Sequence, residues 1–190
     1  MQKLRTAMEF GGILSQDHIE YALSHYHHRH LKPNDEFLAY GKISKELGFV
    51  EQGILRLYTF GKDGEEVTKY FIRSNQFAVD LDSFYSNAPG DTVFQAVVPT
   101  DMYIISRTDW NRIIEEVPKL FILSKSLSEA ALLNKIKDND FLNFGTAQDK
   151  YEEFLRRYPD LALHVPQQYI ASYLKITPQS LSRIRRQISS

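Results

Sequence analysis

Cysteine is absent from the 190 residues. That one absence removes disulfides, thiolate zinc sites, iron–sulfur clusters and cysteine nucleophiles, and it makes a cytoplasmic location the default expectation. Long apolar runs are lacking too, and none approaches the length of a membrane span, so no membrane partner is expected. The opening stretch MQKLRTAMEFGGIL carries two basic residues, but Glu9, Gly11 and Gly12 cut its apolar part and no small-residue cleavage site follows. It does not read as a secretory signal. No Ser/His/Asp spacing, glycine-rich phosphate loop or pair of catalytic carboxylates stands out, so neither an enzyme, nor a cofactor, nor a metal is expected. What remains is an ordinary globular composition, 43% hydrophobic and 25% charged, in a chain long enough for two modest domains.

Acid is the next thing missing, and its absence is local. From Leu161 to the C-terminus there is no Asp or Glu but four basic residues, Lys175, Arg183, Arg185 and Arg186, whereas the first 160 residues hold 19 basic and 24 acidic ones. A positive end on an acidic body is the footprint of a polyanion site. The same stretch, VPQQYIASYLKITPQSLSRIRRQI (Val165 to Ile188), reads as two short helices around a tight turn. Ile170, Ala171 and Leu174 share one face of the first helix, Lys175 to Thr177 break the pattern, and Pro178 suits the first turn of a second helix. There Leu181, Ile184 and Ile188 must face the first helix, which turns Gln179, Ser182, Arg183 and Arg186 to solvent. These side chains hydrogen-bond base edges and phosphates. Ala171 is small enough for two steeply crossed helices to approach. The layout is that of a helix-turn-helix; a solvated arginine-rich face on an ordinary helix pair is the alternative.

Earlier in the chain the texture differs. Ser15 is placed to cap a helix through Tyr26 with Ile19, Ala22, Leu23 and Tyr26 on one side. From about His28 to Ser106, short runs rich in β-branched and aromatic residues (EFLAY, GFVEQGILRLYTF, EEVTKYFI, TVFQAVV, MYIIS) alternate with turn signals at residues 33–35, 61–64, 87–90 and 99–101. That spacing predicts an antiparallel sandwich or barrel, with a hairpin at Asp63-Gly64. Trp110 to Phe144 then reads as helix broken near Pro118. In it Leu120, Leu123 and Leu127 begin an apolar stripe that suits a dimer seam; packing on the β domain would use the same stripe. Gly145 and Thr146 mark a boundary, with Thr146 capping a helix to about Tyr158.

Taken in this order, and in the strings FVEQGILRLYTFGKDGEEVTKYF, FAVDLDSFY and VPQQYIASYLKITPQSLSRIRRQI, the chain resembles the Crp/Fnr family of bacterial transcription regulators over nearly its whole length. The resemblance implies an α+β chain with an N-terminal antiparallel β jelly-roll of cyclic-nucleotide-binding type (1–108), a long dimerisation helix (109–144) and a C-terminal helical helix-turn-helix domain (145–190). It implies a homodimer that binds double-stranded DNA through paired recognition helices, with RNA polymerase as a further partner and the β domain as sensor of an effector the sequence leaves unknown. The DNA-binding positions are then Gln168, Thr177, Gln179, Ser180, Ser182, Arg183 and Arg186, and the dimer interface is Leu120, Leu123 and Leu127. One departure lies at the turn, where the family often has glycine and this chain has Lys175. Lysine must adopt the left-handed conformation at a cost or force another turn.

Cyclic-nucleotide-binding members hold the ligand with Gly-Glu-Leu and, about ten residues on, Arg-Ser or Arg-Thr. Here Val79-Asp80-Leu81 and Gly90-Asp91 stand in those places, which withdraws the phosphate's bidentate partner and sets a carboxylate there instead. Cyclic-nucleotide binding is therefore not expected, unless Arg73 or an altered loop supplies the charge. The run HYHHRH (His25 to His30) invites a metal site, but no carboxylate follows until Asp35, and it reads rather as a polar lead into the first strand. The expected function is a sequence-specific DNA-binding regulator. Alternatives are a small-molecule sensor acting through protein contacts, or a cyclic-nucleotide-responsive regulator with an altered loop.

Overall fold

Agreement between pattern and structure begins at Ser15. In the computed structural model, which describes residues 1–188, the Ser15 hydroxyl accepts the His18 amide at 3.3 Å and starts helix α2 (Gln16–Ser24). The four side chains expected on its inner face, Ile19, Ala22, Leu23 and Tyr26, are buried. A preceding helix, α1 (Gln2–Met8), was not legible in the sequence; it contributes only Leu4 and Met8 to the core, too few for a visible period.

Eight strands follow, all recorded ladders being antiparallel. Strands β1 (His27–Leu31), β3 (Glu46–Gln52), β6 (Gln76–Ala78) and β8 (Thr100–Ser106) form a sheet in the order β1-β8-β3-β6. Strands β2 (Glu36–Leu38), β4 (Ile54–Phe60), β5 (Glu66–Arg73) and β7 (Val93–Ala96) form the other, β2-β7-β4-β5. Two four-stranded antiparallel sheets make the sandwich the turn signals predicted, in the jelly-roll form the resemblance implied. Gly53, at φ 114, turns β3 into β4 through backbone space that side chains avoid. The Asp63-Gly64 hairpin between β4 and β5 is closed by the Gly61 amide on the Glu65 carbonyl at 2.8 Å. Helix α3 (Leu81–Ser86) interrupts the strands, capped by Asp80 through the Ser83 amide.

Helix α4 (Arg107–Glu116) and, beyond the break at Val117 and Pro118, the 25-residue helix α5 (Lys119–Asn143) complete the region. The core lies between helices and sheet: Leu4, Met8, Ile19, Leu23, Trp110, Ile113, Leu120 and Leu123 meet Leu47 and Phe49 of β3 and Ile105 of β8. Four helices then follow, α6 (Ala147–Arg157), α7 (Pro159–His164), α8 (Gln167–Leu174) and α9 (Pro178–Ile188). Thr146 caps α6 with a reciprocal capping box to Asp149, as its position suggested.

By its contacts the chain divides into one unit of residues 1–57 and 71–129 and a second of residues 58–70 with 130 onward. The division falls inside α5 and groups the β4–β5 hairpin with the C-terminal helices, whereas the pattern suggested boundaries at 108/109 and 144/145. Ser189 and Ser190, the end of the expected 145–190 domain, lie outside the described residues. Within the second unit the outer strand β5 meets α8: the Thr68 amide donates to Ser172 Oγ at 2.9 Å, and that hydroxyl donates to the Glu66 carbonyl at 3.4 Å. No helix among the described residues is long and apolar enough to cross a membrane.

Candidate nucleic-acid interface

The C-terminal helices are built on an apolar centre of Tyr151, Phe154, Leu161, Ile170, Ala171, Tyr173, Leu174, Leu181 and Ile184, all buried. Ala171 is fully enclosed where α8 passes α9, the role its size suggested. Lys175 takes the left-handed conformation (φ 56, ψ 42), and the Ile176 amide reaches back to the Ala171 carbonyl at 3.0 Å, as a glycine-ended helix would do. The tight turn therefore survives the lysine, whose Nζ donates to Asn143 Oδ1 at 2.9 Å.

Thr177 begins α9 by accepting the Ser180 amide on its hydroxyl at 3.1 Å, and the two hydroxyls pair at 2.9 Å. Thr177 and Ser180 thus hold the helix start, which sequence position alone did not distinguish from base contact. With Leu181 and Ile184 turned inward, Gln179, Arg183 and Arg186 are exposed and Ser182 is half-buried. Gln179, Ser180, Arg183, Arg186 and Gln187 line one shallow concave surface. Gln187 was missed, although its four-residue spacing from Arg183 puts it on the same side. Arg186 Nε reaches the Ser182 carbonyl at 3.5 Å, so this arginine lies back along the helix. Gln168 is exposed in the first turn of α8. The surface has donors throughout and no carboxylate of its own, which suits an anionic, hydrogen-bonding partner.

This scaffold is tied to the end of α5. Arg157 of α6 donates to the buried Asp138 at 3.1 Å and to Glu153 at 2.5 Å, and its guanidinium lies 5.2 Å from the centre of the Phe141 ring. Phe141 in turn meets Tyr173 edge-on at 6.4 Å, and burial pushes the Tyr173 phenol well above its ordinary value. Glu153 accepts from Arg156 as well, and the two guanidiniums pull its carboxyl down to about 2.

The expected dimer stripe needs correction. Leu120 and Leu123 are 1% and 3% exposed within the chain's own core, and Leu127 packs partly buried against it. Leu120 and Leu123, enclosed in that core, have no area left for a second copy, and for them the alternative of packing on the β domain is what the structure shows; Leu127 is half-buried. The bare apolar residues of α5 are Phe121, Ile122, Leu132, Leu133 and Ile136, each more than half exposed.

In the β domain, Asp80 lies against Gly90, the first residue of the pair that stands where the resemblance has Arg-Ser. Its carboxylate accepts from Thr92 as well as capping α3, and a Cβ added at Gly90 would lie 2.6 Å from Asp80 Oδ2. The Gly90 amide is taken by the Lys42 carbonyl at 3.3 Å. A buried cation does exist in this domain, Arg56 at 1% exposure, but it is engaged in contacts of its own. The histidine run became β1, and the sheet brings it the carboxylate that local sequence lacked: His28 Nε2 and His30 Nδ1 lie 2.9 and 3.0 Å from Asp101 Oδ1 across the β1–β8 ladder. No group of three or more candidate ligands converges on a metal position among the described residues.

Residues 28–117 match the family model of the cyclic nucleotide-binding domain. Over most of its length the chain also shares its fold with solved structures of low sequence identity, the fold that the resemblance implied. FixK2 from Bradyrhizobium japonicum superimposes with a TM-score of 0.72 at 17% identity, over 86% of this chain and 84% of that one. The c-di-GMP-responsive global regulator CLP of Xanthomonas campestris gives a TM-score of 0.71 at 16% identity, over 92% of both chains. The catabolite activator protein of Thermus thermophilus gives 0.59 at 18% identity, over 96% of this chain and 86% of that one. Among curated protein sequences none matches significantly.

Replacing Arg157 with Ala strands a buried carboxylate and should destabilise the C-terminal helices by roughly 2–4 kcal/mol. Replacing its exposed neighbour Arg156 should leave the stability nearly unchanged, since water screens its pairing with Glu153. Denaturant midpoints followed by helix signal would show the contrast; equal losses would mean that Asp138 is held by something other than Arg157.

Proposed function

We propose that this chain is a homodimeric, sequence-specific DNA-binding transcription regulator that does not respond to cyclic nucleotides. The observation that carries the reading is the acid-free surface of Gln179, Ser180, Arg183, Arg186 and Gln187 on a helix held by a left-handed turn. A second helix crossing a first at such a turn is the arrangement that enters a major groove, with its N-terminal residues at base edges. Gln168 and the first turn of α8 then face the phosphate backbone.

Dimerisation follows from α5. By helical spacing Phe121, Ile122, Leu132, Leu133 and Ile136 fall in one arc, opposite Leu120, Leu123 and Leu127. A helix apolar on two sides is a helix buried on two sides, and one side is open in the single chain. A second copy laid along the open arc covers it and sets two α9 helices for the two halves of a partly palindromic site. The relatives' names support regulation as the role; CLP is described as responsive to c-di-GMP, a property that belongs to that protein.

Three outcomes are expected. Duplex DNA binding should weaken steeply with salt; Arg183→Ala should reduce operator affinity by about 1–3 kcal/mol and relax sequence preference, while Arg186→Ala should weaken all duplexes alike and flatten the salt slope. Mobility-shift titrations over a salt series distinguish these, and salt-insensitive or absent binding would favour a sensor working through protein contacts. Ile136→Glu should give a monomer in sedimentation velocity with operator affinity falling in parallel, whereas a variant that stays dimeric moves the seam elsewhere. Calorimetric titration should show no heat of binding for cyclic AMP or cyclic GMP, since Asp80 and the missing arginine leave the phosphate with repulsion and no bidentate partner; a micromolar dissociation constant for either would refute this.

A further inference from the structure

Towards the N-terminal end of α9 the reading surface carries two exposed side chains with planar, two-point hydrogen-bonding ends, Gln179 and Arg183, and they are of different kinds; Arg186 and Gln187 lie further along the helix. Arg183 presents only donors, which pair with O6 and N7 of guanine; Gln179 presents one donor and one acceptor, which pair with N7 and N6 of adenine. A carboxylate, the group that accepts from N4 of cytosine, is absent from α9. Both residues are exposed, and among the described residues neither side chain is drawn into a hydrogen bond: the helix start is held by Thr177 and Ser180 instead. Arg186, by contrast, lies back over the Ser182 carbonyl and stands a turn further from the N-terminal end.

Gln179 and Arg183 are one helical turn apart on the same side, so about 6 Å separates them along the axis. Base pairs are stacked about 3.4 Å apart. The two side chains therefore meet base pairs one or two steps apart. We infer that each half of the operator contains a G·C pair read through guanine by Arg183 and, one or two steps away, an A·T pair read through adenine by Gln179, and that Gln179 is the residue that sets the second base. This rests on the DNA-binding reading above.

The test is selection of bound duplexes from a random library by the full-length protein and by two variants. The parent should enrich an inverted repeat whose halves contain a guanine and an adenine in that spacing. Gln179→Glu exchanges a donor–acceptor pair for acceptors alone; it should replace the adenine by cytosine at that one position, keep the guanine, and bind the parental site roughly tenfold more weakly or worse. Arg183→Ala should lose the guanine and keep the adenine. A parental motif without the adenine, or a Gln179→Glu motif identical to the parent's, overturns the inference while leaving DNA binding intact. No enriched motif for the parent overturns both. Gln179 is exposed and outside the apolar centre, so melting temperatures of parent and variant should coincide.

Discussion

Leu120 and Leu123 settle which way α5 faces, and much else follows. Enclosed by α1, α2 and α4 against β3 and β8, they leave the helix no freedom to turn about its own axis in the first unit. Everything on the opposite arc is then committed to solvent or to a partner. Five large apolar side chains stand there, more than a surface helix of a lone chain would carry. In the second unit the same helix is gripped by Arg157 on Asp138 and Phe141 on Tyr173, so the C-terminal helices are fastened to a helix rather than to a loop.

Sequence reading was strongest where one local signal had one structural solution. The capped helix at Ser15, the Asp63-Gly64 hairpin, the Thr146 cap and the α8–α9 pair each rest on a few adjacent residues whose backbone preference and burial pattern agree. Lys175 tested that logic, because its side chain argued against the turn that the flanking pattern required. Packing of Ala171, Leu174, Leu181 and Ile184 prevailed over a local conformational cost of about 1–2 kcal/mol.

What could not be read depends on distant partners. The stripe of Leu120, Leu123 and Leu127 is a genuine period, but a period says only that one side is buried, not by what; α5 has two apolar sides, and this one packs into the chain's own core. Asp101 was invisible to the histidines because the β1–β8 register that joins them spans some seventy residues. The division of labour on α9 escaped for a related reason. Thr177 and Ser180 have the same chemistry as a base-reading serine, and only the Ser180 amide shows that the threonine hydroxyl is already taken. At Asp80 and Gly90 the substitution was legible, but not that the carboxylate and the glycine close on one another.

The hydroxyl of Ser172 has a consequence for solution behaviour. Strand β5 ends its sheet, and an uncovered end strand is a template on which another chain can pair. By taking the Thr68 amide and returning a donor to the Glu66 carbonyl, α8 masks that template in the folded protein. A molecule whose C-terminal helices came away from the hairpin would present bare backbone as well as free helices, and at high concentration it would tend to associate through its sheet. Retention of α8 against β5 is thus also a matter of solubility.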